Sequence, residues 1–225
     1  MQFIYSLFYS TLFVFIHFFI SIMNSMIICN WFQSPFFDYS KQFSVEYIEK
    51  KTNSITTFIF YSVLNHHFIH FTFSDHFLYS IEMINTDPIY SPYFLHHFIN
   101  YVKYILLLEF LFYLFHRLSH HSIVYKYIHS NHHKNLTIYP IDAIDGNYLD
   151  NIIFEFSLHI PLLIVNLNYY EYLCFYNFYS TGNMIVHSKM ITSIHVNHHR
   201  YFKRNYCLLF PIYDFIFSTM EIRDD

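Results

Sequence analysis

The residues able to do chemistry in this 225-residue chain are histidines at short, repeated spacings. The stretch from Glu109 to His133 reads EFLFYLFHRLSHHSIVYKYIHSNHH. It sets His116 and His120 as HxxxH, then His129, His132 and His133 as HxxHH. His195, His198 and His199 repeat the HxxHH spacing later in the chain. Neutral imidazole is the commonest side-chain metal ligand, and spacings of three and four put side chains on one helix face. These eight histidines exceed the four ligands of one tetrahedral zinc, so the arrangement implies two metal ions held at the end of a membrane bundle.

Imidazole-rich sites suit zinc, copper, iron and nickel, whereas oxygen-rich sites suit magnesium or calcium. Two irons with open positions can bind and reduce dioxygen, giving an oxidant able to attack an unactivated C–H bond. The electrons must come from outside, since the chain carries no flavin, nicotinamide or haem signature. Gly146 and Gly182 are its only glycines, which excludes a GxGxxG fingerprint and a phosphate-cradling loop. Cys29, Cys174 and Cys207 are odd in number and far apart, so they form neither a disulfide framework nor a CxxC metal site. Phe, Ile, Tyr and Asn are heavily used and Ala143 is the only alanine. That bias fits an AT-rich coding sequence and inflates histidine as well, so only spacing and placement count.

The elements that position the histidines follow from hydropathy. The chain is 54% hydrophobic, 24% aromatic and only 12% charged, against roughly a quarter charged in ordinary domains. Too few polar groups remain to cover a globular surface, and membrane embedding is the economical reading. With 12 Lys+Arg and a net charge of −4, no basic face points to nucleic acid. Apolar runs predict spans over Tyr5–Ile28, Ile55–Phe73 and Ile89–Phe115, with an aqueous loop over 33–54 and a polar link carrying Glu82, Asp87 and Pro88. The run from Ile152 to Ile185, broken by Pro161, Asn166, Asn168 and Glu171, suits two short spans or a re-entrant hairpin. The expected fold is therefore all-α: a polytopic membrane helical bundle of about three spans plus a hairpin, under a cytosolic His-rich helical cap. Lys41, Lys50 and Lys51 in the first loop, with Arg117, Lys126, Lys134, Lys189, Arg200, Lys203, Arg204 and Arg223 near the histidines, place those regions on the cytosolic side. The N-terminus is then lumenal. Residues 1–104 are expected to supply N-terminal spans and residues 105–225 the catalytic region, within one integrated domain.

The residues resemble those of the fatty acid hydroxylase/sterol desaturase superfamily of membrane non-haem di-iron oxygenases. Glu109-x-x-x-Tyr113-x-x-His116-Arg117-x-x-His120 is similar to that family's first box. Tyr125-Lys126-x-x-His129-x-x-His132-His133 resembles the second, followed by Pro140 and Ala143. His195-x-x-His198-His199, then Phe202, Asn205-Tyr206 and Asp214, resembles the third box and its tail. His187 resembles a further family histidine and joins the expected ligands. Cys207, Tyr213 and Ser218 stand where the family has Gly, Trp and Gly. The resemblance covers roughly residues 105–220. It implies two non-haem irons, dioxygen, an endoplasmic-reticulum membrane, and a b-type cytochrome donor fed by a NAD(P)H reductase. It also implies hydroxylation or desaturation of a lipid (sterol, fatty acid or sphingolipid), sterol 5-desaturase-like chemistry being one leading version, with no catalytic residue beyond the metal ligands.

Around such ligands Glu109, Asp150 and Asp214 could accept the second imidazole N–H, or could equally cap helices or lie at the surface; Asn205 belongs to the same outer set. His17, His76 and His159 read as structural. His66, His67 and His70 spell another HxxxH inside the second span, where polar residues are costly and often functional, without a companion HxxHH. The pair His96–His97 is unassigned, and the Asn135-Leu136-Thr137 sequon reads as chance. A histidine-rich metal transporter is the alternative from another class. It would place its ligands inside the spans near the midplane, whereas these boxes lie outside them. A family member that keeps the fold without activity is a further alternative.

Overall fold

The computed structural model describes residues 2–41, 44–72, 94–135, 137–188 and 194–222. Among these the chain is helical and no strand occurs. Helix α1 (Gln2–Trp31) turns Tyr5, Phe8, Phe15, Phe19 and Ile27 outward and buries Ser6, Ser10, Phe13, Val14, His17, Ser21, Ser25 and Cys29. The buried set recurs every three or four residues, so it forms one stripe. Small hydroxyl side chains let helices approach closely and hydrogen-bond across the contact, as is common between membrane helices.

That stripe accounts for His66 and His67. On α2 (Val45–Thr72) His66 Nδ1 lies 3.0 Å from Ser10 Oγ and His67 Nδ1 lies 3.1 Å from Ser6 Oγ. Asn65 donates to Asn151 Oδ1 at 2.7 Å, and Asn151 donates to Ser62 Oγ at 2.9 Å. The polar residues of α2 therefore join it to α1 and to the hairpin described below. His17 does the same, its Nδ1 lying 2.6 Å from Asn177 Nδ2. The side chains of His70 and His76 lie outside the described residues, as does the polar link with Glu82, Asp87 and Pro88.

Helix α2 begins about ten residues before the expected span, within the segment read as an aqueous loop. Glu46, Glu49 and Lys50 are good helix formers, and Lys51 finds buried partners across the bundle. Helix α3 (Phe94–Ser119) runs past position 104, where the two parts of the chain were expected to meet. By length and apolarity, Ile4–Trp31 and Leu95–Ser119 are able to cross a membrane. Helix α2 is long enough, but Asn65, His66, His67 and its charged start lower its hydropathy. Composition thus supports two of the three expected spans.

The run after Asp150 forms a helical hairpin. Helix α5 (Tyr148–His159) is capped by Asn147 and ends where Pro161 enters a 3-10 turn (Ile160–Leu163). Helix α6 (Tyr169–Ile185) is capped by Asn168, whose side chain accepts Glu171 N–H while Glu171 accepts Asn168 N–H. Between α3 and the hairpin lie the short α4 (Tyr125–Ile128) and 3-10 turns at His132–Lys134 and Pro140–Ile144. After it come α7 (Ile194–Tyr201) and α8 (Ile212–Ile216). The main core joins Phe13 and Val14 of α1, Tyr104, Leu108 and Phe112 of α3, and Phe154, Leu158, Tyr172, Tyr176 and Tyr179 of the hairpin. One core therefore spans both halves of the chain. His159 belongs to it, donating from Nδ1 to Glu155 O at 2.6 Å and meeting Tyr172 Oη at Nε2 at 2.7 Å.

The stripe on α1 is testable. Ser10 has no exposed surface, so Ser10→Leu overfills the α1–α2 contact at a cost of about 1–3 kcal/mol. Thermal unfolding of the full chain in detergent should fall by several degrees. Phe8→Leu, on the outward face, should leave it within error.

Candidate metal centre

All nine expected histidines converge at one end of the bundle and divide into two groups. His116, His120, His129, His133 and His198 form one; His132, His187, His195 and His199 form the other. Within each, one ring nitrogen per residue lies within 4.8 Å of all the rest. Spacing explains the division. His195 and His199 are four apart on α7 and face one way, with His198 about 100° round from its neighbour; in the second box His133 N–H bonds to His129 O across one turn, and His132, at the start of the 3-10 turn, enters the other group. The second box thus gives a pair to the five-histidine group and His132 to the four-histidine group. The third box does the reverse, so the two groups are interlocked.

Oxygen acceptors set the tautomers. His116 Nδ1–H donates to Tyr206 O at 2.8 Å, His198 Nδ1–H to Arg204 O at 2.6 Å, and His187 Nδ1–H to Asn183 O at 2.6 Å. His129 Nδ1–H donates to Asp150 Oδ1 at 2.6 Å. With the proton on Nδ1, each Nε2 carries a bare lone pair. Those Nε2 atoms point at other imidazoles: His116 to His129 at 3.0 Å, His198 to His133 at 3.1 Å, and His187 to His132 at 3.1 Å and His195 at 3.2 Å. His120 Nε2 and both ring nitrogens of His199 are buried with no hydrogen-bond partner. His116 and His129 both donate from Nδ1 to oxygen, so their Nε2 lone pairs face each other; at this range they repel, and a cation between them relieves it. Six-coordinate nitrogens about 2.1 Å from an ion stand about 3.0 Å from their neighbours, and tetrahedral ones about 3.4 Å apart. The donor set and its spacing fit metal ions.

Burial, reinforced by the neighbouring imidazoles, holds His129, His132, His195, His198 and His199 well below the ordinary histidine range, and burial brings His187 down to about 4. The rings are neutral at pH 7, the form that ligates.

The carboxylates divide by role. Asp150 holds His129 and, through Oδ2, accepts Asn147 N–H at 3.1 Å, so one side chain both orients a ring and caps α5. Gly146 leaves it room: a Cβ there would lie 2.9 Å from Asp150 Cβ. Glu109 and Asp214 do not reach an imidazole. Glu109 accepts the backbone N–H groups of Leu208, Leu209 and Phe210 at 3.0, 3.0 and 3.1 Å. Asp214 accepts those of Tyr206 and Cys207 at 2.8 and 2.7 Å and the Thr219 hydroxyl at 2.8 Å. Asn205 donates to Ile194 O and Glu221 O and accepts Glu221 N–H. These three side chains fix the loop whose carbonyls at Arg204 and Tyr206 hold His198 and His116. Tyr113 and Arg117 join the same clamp, with Arg117 donating to Tyr113 Oη at 2.7 Å and Tyr113 Oη 3.2 Å from Thr219 Oγ1. Carbonyl acceptors leave no residue-type signal, so sequence could reveal the clamp and not the atoms it serves.

Ser218 sits at φ 54°, in the left-handed region where glycine is unstrained. Cys207 is buried, and Tyr213 donates to Leu106 O at 3.0 Å.

A cavity of about 60 Å³ opens beside the rings of His116, His129, His132, His187 and His195. Its lining includes Phe58, Phe112, Ile153 and Phe154 together with Thr57, Asn147, Asp150, Asn151 and Asn183.

The fatty acid hydroxylase family profile matches residues 101–219. The chain is 31% identical over 140 residues to the very-long-chain aldehyde decarbonylase GL1-5 of Oryza sativa subsp. indica, covering 52% of this chain and 22% of that protein. It is 30% identical over 136 residues to protein CER1-like 1 of Arabidopsis thaliana, covering 50% and 22%. The chain therefore spans about a fifth of the length of these curated relatives. No solved structure matches it.

Asp150→Asn should weaken metal binding about 10–100-fold with helix content unchanged, as measured by competition with a chelator of known affinity. Ser218→Gly should raise stability by about 1 kcal/mol, read as a higher unfolding midpoint in detergent.

Proposed function

The chain belongs to the fatty acid hydroxylase family, and from that membership and the geometry above we propose that it is a membrane di-iron oxygenase acting on a lipid. The observation that carries this reading is the convergence of nine imidazoles, seven of them buried, in two interlocked groups, four of whose rings donate from Nδ1 to oxygen and leave Nε2 unprotonated. The ligands proposed are His116, His120, His129, His133 and His198 for one ion, and His132, His187, His195 and His199 for the other. No carboxylate joins either group among the described residues, which favours an imidazole-binding metal over magnesium or calcium. Family membership favours iron. Two irons when bound supply reduction of dioxygen and oxidation of a C–H bond.

The chain's own residues supply position and exclusion. Asp150 and the carbonyls of Asn183, Arg204 and Tyr206 hold the Nδ1 protons, so four rings keep Nε2 free for the ions. The phenylalanines that line the cavity suit an aliphatic segment, and its amide and hydroxyl side chains suit a polar group near the reacting carbon. Two apolar helices and the outward aromatics of α1 support membrane association. The basic residues beside the histidines support a cytosolic centre, and the lipid substrate supports the endoplasmic reticulum. The chain holds no electron-carrying motif of its own, so a b-type cytochrome served by a NAD(P)H reductase is the proposed donor.

A second reading comes from the relatives named as very-long-chain aldehyde decarbonylases: the same centre would release the carbonyl carbon of a long-chain aldehyde. Lipid analysis of yeast expressing the chain separates the two. A new hydroxylated or desaturated lipid marks the first, and a hydrocarbon one carbon shorter than a supplied aldehyde marks the second. Purified protein should contain about two irons per chain, and His132→Ala and His198→Ala should each abolish the product. Activity unaltered in both variants, or stoichiometric zinc with no lipid change, would rule the di-iron reading out.

A further inference from the structure

One face of α2 leads from water to the histidine centre, although the helix lies wholly before the family-matched segment. Glu46, Glu49, Lys50, Asn53, Ser54 and Thr57 follow one another at spacings of three and one, so they share one side of the helix. Together with Gly146 they line a second cavity, of about 430 Å³. Thr57 and Gly146 also line the cavity beside the rings, where α2 adds Phe58 and Tyr61. The two cavities therefore meet at Thr57 and Gly146.

The meeting point is held from several sides. Lys51 is only 5% exposed, and its Nζ donates to Asp142 Oδ1 and, at 2.6 Å, to Asp145 Oδ2. This ties α2 to the 3-10 turn whose cap, Asp145, precedes Gly146. Tyr61 packs on Tyr148 of α5 with ring centroids 4.6 Å apart, and Phe58 on Phe18 of α1 at 5.5 Å. Gly146 brings no side chain to the passage and has no room for one, since a Cβ there would press on Asp150. Among the described residues, Thr57 is thus the one side chain that lines both cavities.

The two linings differ in chemistry. The inner one includes Phe58, Phe112, Ile153 and Phe154, whereas no side chain of the outer one is a hydrocarbon. Covering its carboxylates, ammonium and amide with a lipid chain would cost their hydration. Its volume is far above the roughly 15 Å³ that one water needs. We infer that the outer cavity is an aqueous port, in which Thr57 sets the width of the passage by which water and small hydrophilic solutes reach the centre. This rests on the two-ion reading proposed above, in which oxidation of a C–H bond by dioxygen takes up protons and releases water. The lipid reaches the centre by another side.

Azide, a small hydrophilic ligand of cobalt(II), tests the port. The full chain in detergent is stripped of metal and reloaded with cobalt, and stopped-flow absorption follows the d–d bands after mixing with azide. In the wild-type chain the bands should shift. Thr57→Trp should keep the cobalt content and the starting spectrum but slow the shift about tenfold or more, a barrier higher by roughly 1.4 kcal/mol. Thr56 is exposed and lines neither cavity, so Thr56→Trp should respond at the wild-type rate. A wild-type rate in Thr57→Trp, equal slowing in Thr56→Trp, or a wild-type spectrum that azide leaves unchanged would overturn the inference. If Thr57→Trp does not fold, Thr57→Cys decides, in a Cys174→Ser chain because Cys174 is the exposed cysteine. A charged methanethiosulfonate added after folding and loading should then slow azide, and an unchanged rate refutes the port. A wild-type chain that binds no cobalt overturns the two-ion reading itself, an outcome distinct from the others.

Discussion

Everything at the histidine end of this molecule depends on lone pairs that face one another. The neutral imidazoles of His116 and His129, with Nε2 atoms 3.0 Å apart, have no donor between them, since both protons are committed to oxygen acceptors at Nδ1. Burial makes this worse, because an unpaired polar atom in a low-dielectric interior loses its water and gains nothing. Such an arrangement is stable when cations supply the missing attraction. The carbonyls at Asn183, Arg204 and Tyr206 and the carboxylate of Asp150 then act as preorganisation: they keep each ring turned correctly before an ion arrives.

The price of that preorganisation falls on the backbone. The 204–206 loop presents two carbonyls inward within three residues, which no regular helix could do. Phe202 at φ 63° and Asn205 at φ 58° make the necessary turns, and a left-handed phenylalanine is strained by about 1–2 kcal/mol. Asp214 and Glu109 offset that strain by accepting five backbone N–H groups between them along Tyr206–Phe210. Charged acceptors make hydrogen bonds roughly twice as strong as neutral ones. This explains why acidic residues attend a centre whose rings they do not touch.

Much of this was legible in the sequence because histidine spacing obeys helix geometry. The HxxHH repeats announced the convergence, and the breaks at Pro161 and Asn168 announced the hairpin. Other features were not legible, for identifiable reasons. A carbonyl acceptor is carried by any residue, so Asn183, Arg204 and Tyr206 gave no signal. Lys51 looked like one of several charges in a loop; only the packing of α2 against the turn at Pro140–Ile144 brings it to two aspartates about ninety residues away. His66 and His70 carry the spacing of a ligand box, yet the serines of α1 that meet His66 and His67 lie in a run where hydropathy alone attracts attention. The expected span on α2 is not confirmed by composition, since the polar residues that join it to its neighbours lower its hydropathy.

The interlock of the two groups bears on how the centre assembles. Because His132 and His133 are adjacent, as are His198 and His199, a rotation of either segment that improved one group would spoil the other. The two segments must settle together, and so must the elements that carry them: the turn pinned to α2 by Lys51, and α7 with the loop clamped to α3 by Glu109. Burying Lys51 beside two aspartates is a weak source of net stability, since desolvation cancels most of the attraction. Removing one partner, however, leaves uncompensated charge at a cost of about 3–5 kcal/mol. A contact of that kind favours one arrangement steeply over its neighbours without adding much to the total. That is the property a centre requires when its geometry must be held closely by elements drawn from distant parts of the chain.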